Sequence, residues 1–293
     1  MYFNEIKKYF ENYYETIDNC KIKEIIKYSL EDGKCIRSFL VKHLMEKLSS
    51  DNNISWEPII AIELIHGSSL IIDDLPCMDN DEIRRNKPST FKQFGERQSI
   101  LVSMYCISES FNLILKGLTN RMIDNNDFKY KFIVISKIIN NWSELIGKNL
   151  IIGQMLDLKE NIETLINFKI SNNNQTVKNI MIFKTCSLFM FTFLLGALFS
   201  NNDKINLEEF KEMGYHFGIM FQIMDDYKDM STDNNYANFI LTNGLDKSIK
   251  EYLNSREKLL KLLNKNNIAT VDILILVNLI DTKFNLNNKI IKE

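Results

Sequence analysis

Apolar residues recur at three- and four-residue intervals along most of this chain and almost nowhere alternate with polar ones. Ile6, Phe10 and Tyr14 lie four apart, with Lys and Glu between them. Ile59, Ile62 and Ile65 lie three apart, and Ile100, Leu101, Met104, Tyr105 and Ile107 mark one side of a longer stretch. That period belongs to helices. It predicts helices over 2–30, 38–48, 56–73, 92–118 and 128–157, one carrying Lys184, one over 207–229, and a helical tail from Asp246 on. Polar breaks fall at 51–55, Asn125-Asn126-Asp127, Asn172-Asn173-Asn174, Asn201–Asn206 and 231–238. No stretch reads as a strand, none repeats, and no linker is long enough to divide the chain. The expected fold class is all-α: a single large helical bundle of about ten helices around a central cavity, one domain over residues 1–293.

Composition agrees with that pattern. Only 10 Gly and 3 Pro punctuate the chain, too few for a turn-rich β or Gly-punctuated α/β fold. A hydrophobic content of 45% with 25% charged residues provides for a real core. The net charge of -2 and sequence pI near 6.0 favour neither nucleic acid nor an anionic membrane as partner. Cys20, Cys35, Cys77, Cys106 and Cys186 are scattered, with no Cys-x-x-Cys pair, which suits free thiols in a cytoplasmic protein. Glu5, Lys7, Lys8 and Glu11 make the N-terminus unlike a signal peptide. Thr185 to Ser200 is almost wholly apolar but shorter than the roughly 20 residues of a membrane span. No transmembrane segment is expected, and a helix buried on all sides explains that run.

Two acidic clusters carry the chemistry. Asp73-Asp74-Leu75-Pro76-Cys77-Met78-Asp79 follows Leu70-Ile71-Ile72, and Asp225-Asp226-Tyr227-Lys228-Asp229 follows Phe221-Gln222-Ile223-Met224. Carboxylates that end two apolar segments can face each other across a cavity. Hard oxygen ligands on two sides suit Mg²⁺ bridging a diphosphate. Asp225 and Asp229 share a helix face. Asp73 and Asp79 are about 240° apart on an ideal helix, and Pro76 would clash with the carbonyl of Ile72. The helix must therefore end or kink near Leu75 and let Asp79 swing back. Upstream, Gly33 ends one helix and Lys34 and Arg37 are expected on one face of the next helix's first turn, as an anion site or as two solvated charges. His66, seven before Asp73, lies on the face that carries the acids.

Together these residues resemble the trans-isoprenyl diphosphate synthases of the polyprenyl synthetase family, the farnesyl and geranylgeranyl diphosphate synthases. The resemblance covers nearly the whole chain. The family's Gly-Lys-x-x-Arg is matched by Gly33, Lys34 and Arg37, and its histidine by His66. Its first aspartate-rich motif is matched by Asp73, Asp74 and Asp79, and the arginine pair by Arg84 and Arg85. Gly153, Gln154 and Asp157 match a Gly-Gln-x-x-Asp, Lys184 and Thr185 the Lys-Thr pair, and Phe221 to Asp229 the second aspartate-rich motif. The resemblance implies a magnesium-dependent prenyltransferase with three ions per active site and two small diphosphate substrates. Asp73, Asp79 and Asp225 would be direct metal ligands, with Asp74, Asp226 and Asp229 as further ligands or behind them. Arg84, Lys184, Thr185 and Gln222 would grip the allylic diphosphate; Lys184, Thr185 and Gln222 would be catalytic, the Thr185 hydroxyl facing the carbocation. Lys34, Arg37, His66 and Arg85 would grip isopentenyl diphosphate. The family implies a homodimer.

Product length in such enzymes follows what plugs an apolar tunnel below the first motif. Ser68 and Ser69, five and four before Asp73, leave it open and imply a C20 product, geranylgeranyl diphosphate. Met104 and Tyr105 could close it lower down, giving C15 instead. Some positions depart from the pattern. Asn86 replaces the glycine usual after the arginine pair, Ser103-Met104 replaces a Gly-Asp, and the two loop lysines have no clear counterpart in 231–244, with Lys247 the nearest substitute. A class I terpene cyclase would share the metal cavity but would not need the Lys34, Arg37 and His66 cradle. A non-catalytic partner subunit would not need the aspartates.

Overall fold

The structure, a computed structural model, describes residues 2–49, 54–121, 128–158, 173–200, 202, 204–231 and 237–284. Its regular elements are helical apart from one two-residue hairpin. The chain divides into two compact units, Met1–Ser136 with Leu198–Asn201, and Lys137–Ala197 with Asn202–Glu293.

The first unit is built on a helix that is buried along most of its length. Its elements are α1 (Tyr2–Glu15), α2 (Cys20–Leu30), α3 (Ile36–Leu48), α4 (Glu57–Asp73), β1 (Ile83–Arg84), β2 (Lys87–Pro88), α5 (Thr90–Phe94) and α6 (Glu96–Arg121). α4 packs along α6 and is touched by α1, α2 and α3. Glu57 through Ile65 are all buried, so α4 turns no polar face to solvent over that stretch. Two expectations change here. Residues 2–30 are not one helix. Asn19 Oδ1 accepts from the Lys21 and Ile22 amides at 3.0 and 3.1 Å and starts α2 afresh, a cap hidden by apolar residues that keep period across the break. In addition, α3 begins at Ile36, after Asp32 (φ 62) and Cys35 (φ 47). Arg37 is in its first turn but Lys34 precedes the helix, so the two do not share that turn. The stretch expected at 92–118 divides at Gly95, whose φ is 87. The expected absence of strands also fails: β1 and β2 pair antiparallel, Ile83 opposite Pro88 and Arg84 opposite Lys87.

The second unit takes over within α7 (Phe128–Asn141), which runs through a π-helical stretch, Trp142–Leu150, into α8 (Ile151–Asp157). α9 (Asn173–Ile180), a second π-helical stretch (Met181–Cys186) and α10 (Ser187–Leu198) make another continuous rod. α11 (Leu207–Asp229), α12 (Phe239–Asn243), α13 (Leu245–Lys265) and α14 (Val271–Lys283) follow. Asn173 and Asn174 begin a helix rather than a loop; Asn172, 125–127 and 51–53 lie outside the described residues. The apolar rod is longer than expected. Thr176–Leu198 spans 23 residues, enough by length and composition to cross a membrane, but most of it is buried in the protein. Phe189 stacks obliquely on Phe217 and Phe221 of α11, at centroid distances of 5.0 and 5.2 Å.

Candidate active site

α4 delivers the first aspartates and then stops. The Asp73 carbonyl accepts the Asp79 amide at 2.9 Å, and the Leu75 and Asp74 amides turn back to the Ile72 and Leu70 carbonyls at 3.1 Å. Pro76 lacks the amide that would continue the ladder, so the chain folds over the helix end and brings Asp79 back beside Asp73. Asp79 is exposed, while Asp73 is buried at the helix terminus.

Asp74 is 2% exposed. Its Oδ1 accepts from Arg84 Nε at 2.9 Å and from Arg84 Nη2, which also reaches Asp81 Oδ2 at 3.0 Å. Burial pushes the Asp74 carboxyl up, and the Arg84 hydrogen bond offsets part of that. Burial alone would lower the Arg84 guanidinium, yet Asp74 raises it. Asp74 thus holds Arg84 in place.

The hairpin aims Arg85 elsewhere. Arg85 and Asn86, at φ 54 and 63, form the turn between β1 and β2, which needs two left-handed residues. Asn is the non-glycine residue that adopts this conformation most readily, so the departure at Asn86 keeps the turn. Arg85 Nη1 donates to the carbonyls of Ser29, Leu30 and Glu31 at 3.1–3.3 Å, filling acceptors that α2 leaves open at its C-terminus. A cation there also suits the helix dipole.

His66 is half-buried on α4. Burial, then the charges of Arg37, Arg85 and Arg84, holds its imidazole well below the ordinary histidine range. The positive field of three arginines therefore acts on one neutral imidazole, a field that favours a bound anion. Lys34 is exposed nearby in sequence.

In the second unit, backbone contact places Lys184 and Thr185. A Cβ on Gly153 of α8 would collide with the Lys184 nitrogen and lie 2.7 Å from the Phe183 carbonyl carbon. On the other side, one on Gly218 of α11 would lie 2.8 Å from Cys186 Cα. The π-helical stretch is clamped between two glycine surfaces, which turns Lys184 and Thr185 to one side of the rod. Lys184 Nζ donates to Asp157 Oδ2 at 2.5 Å. Thr185 Oγ1 donates to Gln222 Oε1 at 2.5 Å, and Gln222 Nε2 to Asp226 Oδ1 at 2.7 Å. Asp226 Oδ2 accepts the Phe239 amide at 2.7 Å, and Asn238 Nδ2 donates to the Asp226 carbonyl at 2.9 Å. Asp226, 6% exposed, thereby ties α11 to the start of α12. Asp157, Lys184, Thr185, Gln222, Asp226 and Asn238, with Ile180, Met181 and Ala237, line a cavity of about 140 Å³. Asp225, ion-paired with Lys228 at 2.9 Å, and the exposed Asp229 follow on the adjoining face of α11.

Asp157, Asn238 and Ser103 were given no role by sequence reasoning. Asp157 stood in a matched motif. Asn238 shows only as a possible cap before an apolar run, and Ser103 only as a departure.

Ser68 and Ser103 close on each other between α4 and α6. Their hydroxyls lie 2.7 Å apart, and each reaches the other's carbonyl, at 3.1 and 3.2 Å. Ser69 donates to the His66 carbonyl at 2.9 Å. Tyr105 is half-buried. Met104, expected to help close a tunnel, is 64% exposed on the outer side of α6 and lines no interior of this chain. The loop expected to lack two lysines lies largely outside the described residues, at 232–236. Lys247 donates to Asn243 at 2.8 Å.

Among the described residues no three His, Cys, Asp or Glu side chains converge as a ready-made metal cage. The donors present are hard carboxylates, several open to solvent, which fit a cation that keeps waters and takes its other ligands from phosphate.

Residues 19–242 match the sequence profile of the polyprenyl synthetase family. The chain belongs to the polyprenyl synthetase family. Its named relatives in that family are prenyltransferases. It is 32% identical over 221 residues to the farnesyl diphosphate synthase of Geobacillus stearothermophilus, covering 74% of this chain and 69% of that protein. It is 30% identical over 214 residues to geranylgeranyl pyrophosphate synthase 10 of Arabidopsis thaliana, where the match covers 72% of this chain and only 58% of the relative's length. The polyprenyl synthetase fold extends over nearly the whole chain. A geranyltransferase structure from Legionella pneumophila matches with a TM-score of 0.77 at 25% identity, over 98% of this chain and 95% of that one.

Proposed function

We propose that the protein is a magnesium-dependent short-chain trans-prenyltransferase that condenses isopentenyl diphosphate with allylic diphosphates and releases geranylgeranyl diphosphate. The observation that carries this reading is the pair of anion-gripping sets. In one unit the positive charges of Arg37 and Arg85 act on His66, and in the other Lys184, Thr185 and Gln222 line one polar cavity. Two diphosphates need two such grips. The first set includes Lys34, Arg37, His66 and Arg85 and would hold isopentenyl diphosphate; Arg84, Lys184, Thr185 and Gln222 would hold the allylic diphosphate.

Asp73, Asp79 and Asp225 would hold the magnesium ions, with Asp229 as a further ligand, and Asp74 and Asp226 supporting the grip from behind. Bound magnesium neutralises negative charge on the departing diphosphate. The chain's own residues do the rest. Lys184 and Arg84 hold the leaving group as the allylic C–O bond breaks. Lys34, Arg37 and Arg85 hold the diphosphate of isopentenyl diphosphate so that its double bond faces the cation, and this positioning supplies much of the rate. The Thr185 hydroxyl dipole faces the positive charge. A new C–C bond forms, and the proton lost from the isopentenyl unit passes to the released diphosphate, so no side-chain base is needed.

The C20 product is supported by the absence of a bulky side chain at Ser68. Exposed Leu101 (66%) and Met104 on α6 support a homodimer, and water-soluble substrates suit a cytoplasmic location. The deciding experiment incubates the protein with Mg²⁺, labelled isopentenyl diphosphate and, separately, C5, C10 and C15 allylic primers. A C20 alcohol after dephosphorylation is expected. A C15 endpoint keeps the enzyme and overturns the product. No elongation from any primer overturns the synthase reading.

A further inference from the structure

Cys35 precedes α3 with φ 47 and makes no side-chain hydrogen bond to the helix it should cap. The first turn of α3 is closed from another helix instead. The Ser38 amide donates to Glu63 Oε1 at 3.1 Å, and the Ser38 hydroxyl donates to the Ile59 carbonyl at 2.6 Å. Ser38 is the third helical residue, whose amide an N-cap side chain ordinarily satisfies. Glu63 comes from α4 and is 4% exposed. A carboxylate that deep is costly unless it is paired, and its partner here is a helix N-terminus, where a negative charge is favoured.

Glu63 does not stand alone on its helix. Ile59, Glu63, His66 and Asp73 are spaced by four, three and seven, so they follow one stripe of α4. That stripe carries the anchor for α3, then the imidazole that lies in the field of Arg37, then the first aspartate. Arg37 is the residue next to Ser38 in the turn that Glu63 holds, and it is itself buried. The Arg37 side chain thus leaves α3 from the turn that Glu63 holds, and its charge acts on His66.

We infer that Glu63 is a positioning residue for the isopentenyl diphosphate grip, a cap lent by α4 that fixes the Arg37 turn against His66. The inference rests on the reaction proposed above. Glu63 touches no substrate; it acts through Ser38 and Arg37. A merely structural Glu63 would lower stability and affect both substrates alike. A positioning Glu63 affects one.

The test compares Glu63→Met, which keeps volume and removes the acceptor, with Glu63→Gln, which keeps an acceptor and removes the charge. KM for isopentenyl diphosphate, KM for the allylic primer, kcat and thermal unfolding are measured for each. The methionine variant should raise KM for isopentenyl diphosphate about tenfold while KM for the primer stays within about twofold, since a lost cap frees the turn it held. The glutamine variant should recover most of that loss. If Glu63→Met folds poorly, Glu63→Asp, which withdraws the acceptor by one methylene, replaces it with the same expectation. Equal changes in both KM values, no change in either, or a glutamine variant no better than methionine overturns the inference. A wild-type protein that elongates no primer overturns the reaction itself.

Discussion

The Asp79 amide donates to the Asp73 carbonyl at 2.9 Å, so the third aspartate of the first motif returns to the first across a turn that begins at Pro76. Two carboxylates that an ideal helix would point apart end on the same turn. If they share a cation in turnover, removing one charge should reduce the reaction and leave the fold alone. Asp73→Asn should lower kcat by about a hundredfold or more, the scale on which loss of one preorganised charge partner acts. Thermal unfolding checks that the melting temperature is kept. Unchanged kcat would remove Asp73 from the chemistry.

Gly153 makes a second testable contact, because no side chain fits between it and the Lys184 backbone. Gly153→Ala should cost about 1–3 kcal/mol in denaturant unfolding, the range for overpacking a tight contact. It should also move the Lys184 rod away from Asp157 and raise KM for the allylic primer more than for isopentenyl diphosphate. A variant as stable as wild type would mean that the rod shifts freely.

Much of this arrangement was legible in sequence, for physical reasons that differ by residue. The return of Asp79 followed from Pro76 and a six-residue spacing, because a helix cannot satisfy either. The all-α architecture followed from apolar period and scarce glycine. What was hidden depended on partners far along the chain. Nothing in Arg85-Asn86 announces a left-handed turn that sends Arg85 to the end of α2, more than fifty residues back. Nothing in Asp226 announces that both its oxygens are taken, one by Gln222 and one by an amide thirteen residues on. The break at Asn19 was hidden locally, because apolar residues on both sides kept helical period.

The Arg85-Asn86 turn can be read through its backbone. At φ 63, Asn86 occupies the region that glycine enters freely and β-branched residues resist. Asn86→Gly should stay within about 0.5 kcal/mol of wild type, while Asn86→Val should lose about 1–2 kcal/mol. The valine variant should also loosen Arg85 from the α2 carbonyls and raise KM for isopentenyl diphosphate. Equal melting temperatures for the two variants would sink the turn assignment.

His66 gives stability a pH dependence with a definite sign. Its folded imidazole resists protonation through burial and then the charges of Arg37, Arg85 and Arg84. The unfolded chain takes up that proton near pH 6.5. The unfolded state then binds more protons, so stability is full above about pH 6.5 and falls as the pH drops below it. Comparing wild type with His66→Asn isolates this group. The variant should lose about 1 kcal/mol less than wild type between pH 7.5 and pH 5.5. Parallel pH curves would show that His66 protonates freely in the folded state.

On the reaction proposed above, with its C20 product, Ser68 is the residue to replace. It meets Ser103 through a reciprocal pair, hydroxyl to hydroxyl at 2.7 Å and each hydroxyl to the other's carbonyl, so α4 and α6 approach closely there. An aromatic ring cannot enter that seam without spreading the helices or turning out of it to one side. Either response should obstruct a growing chain. Ser68→Phe should therefore move the endpoint from C20 to C15, at a stability cost of about 1–3 kcal/mol for the added volume. Ser68→Ala separates the two effects. It gives up the hydroxyl's hydrogen bonds, at about 1 kcal/mol, but adds no bulk, so its product should stay at C20. If alanine shortens the product as phenylalanine does, helix spacing at the seam sets length. If neither does, the limit lies elsewhere, and Tyr105 is the next residue to replace.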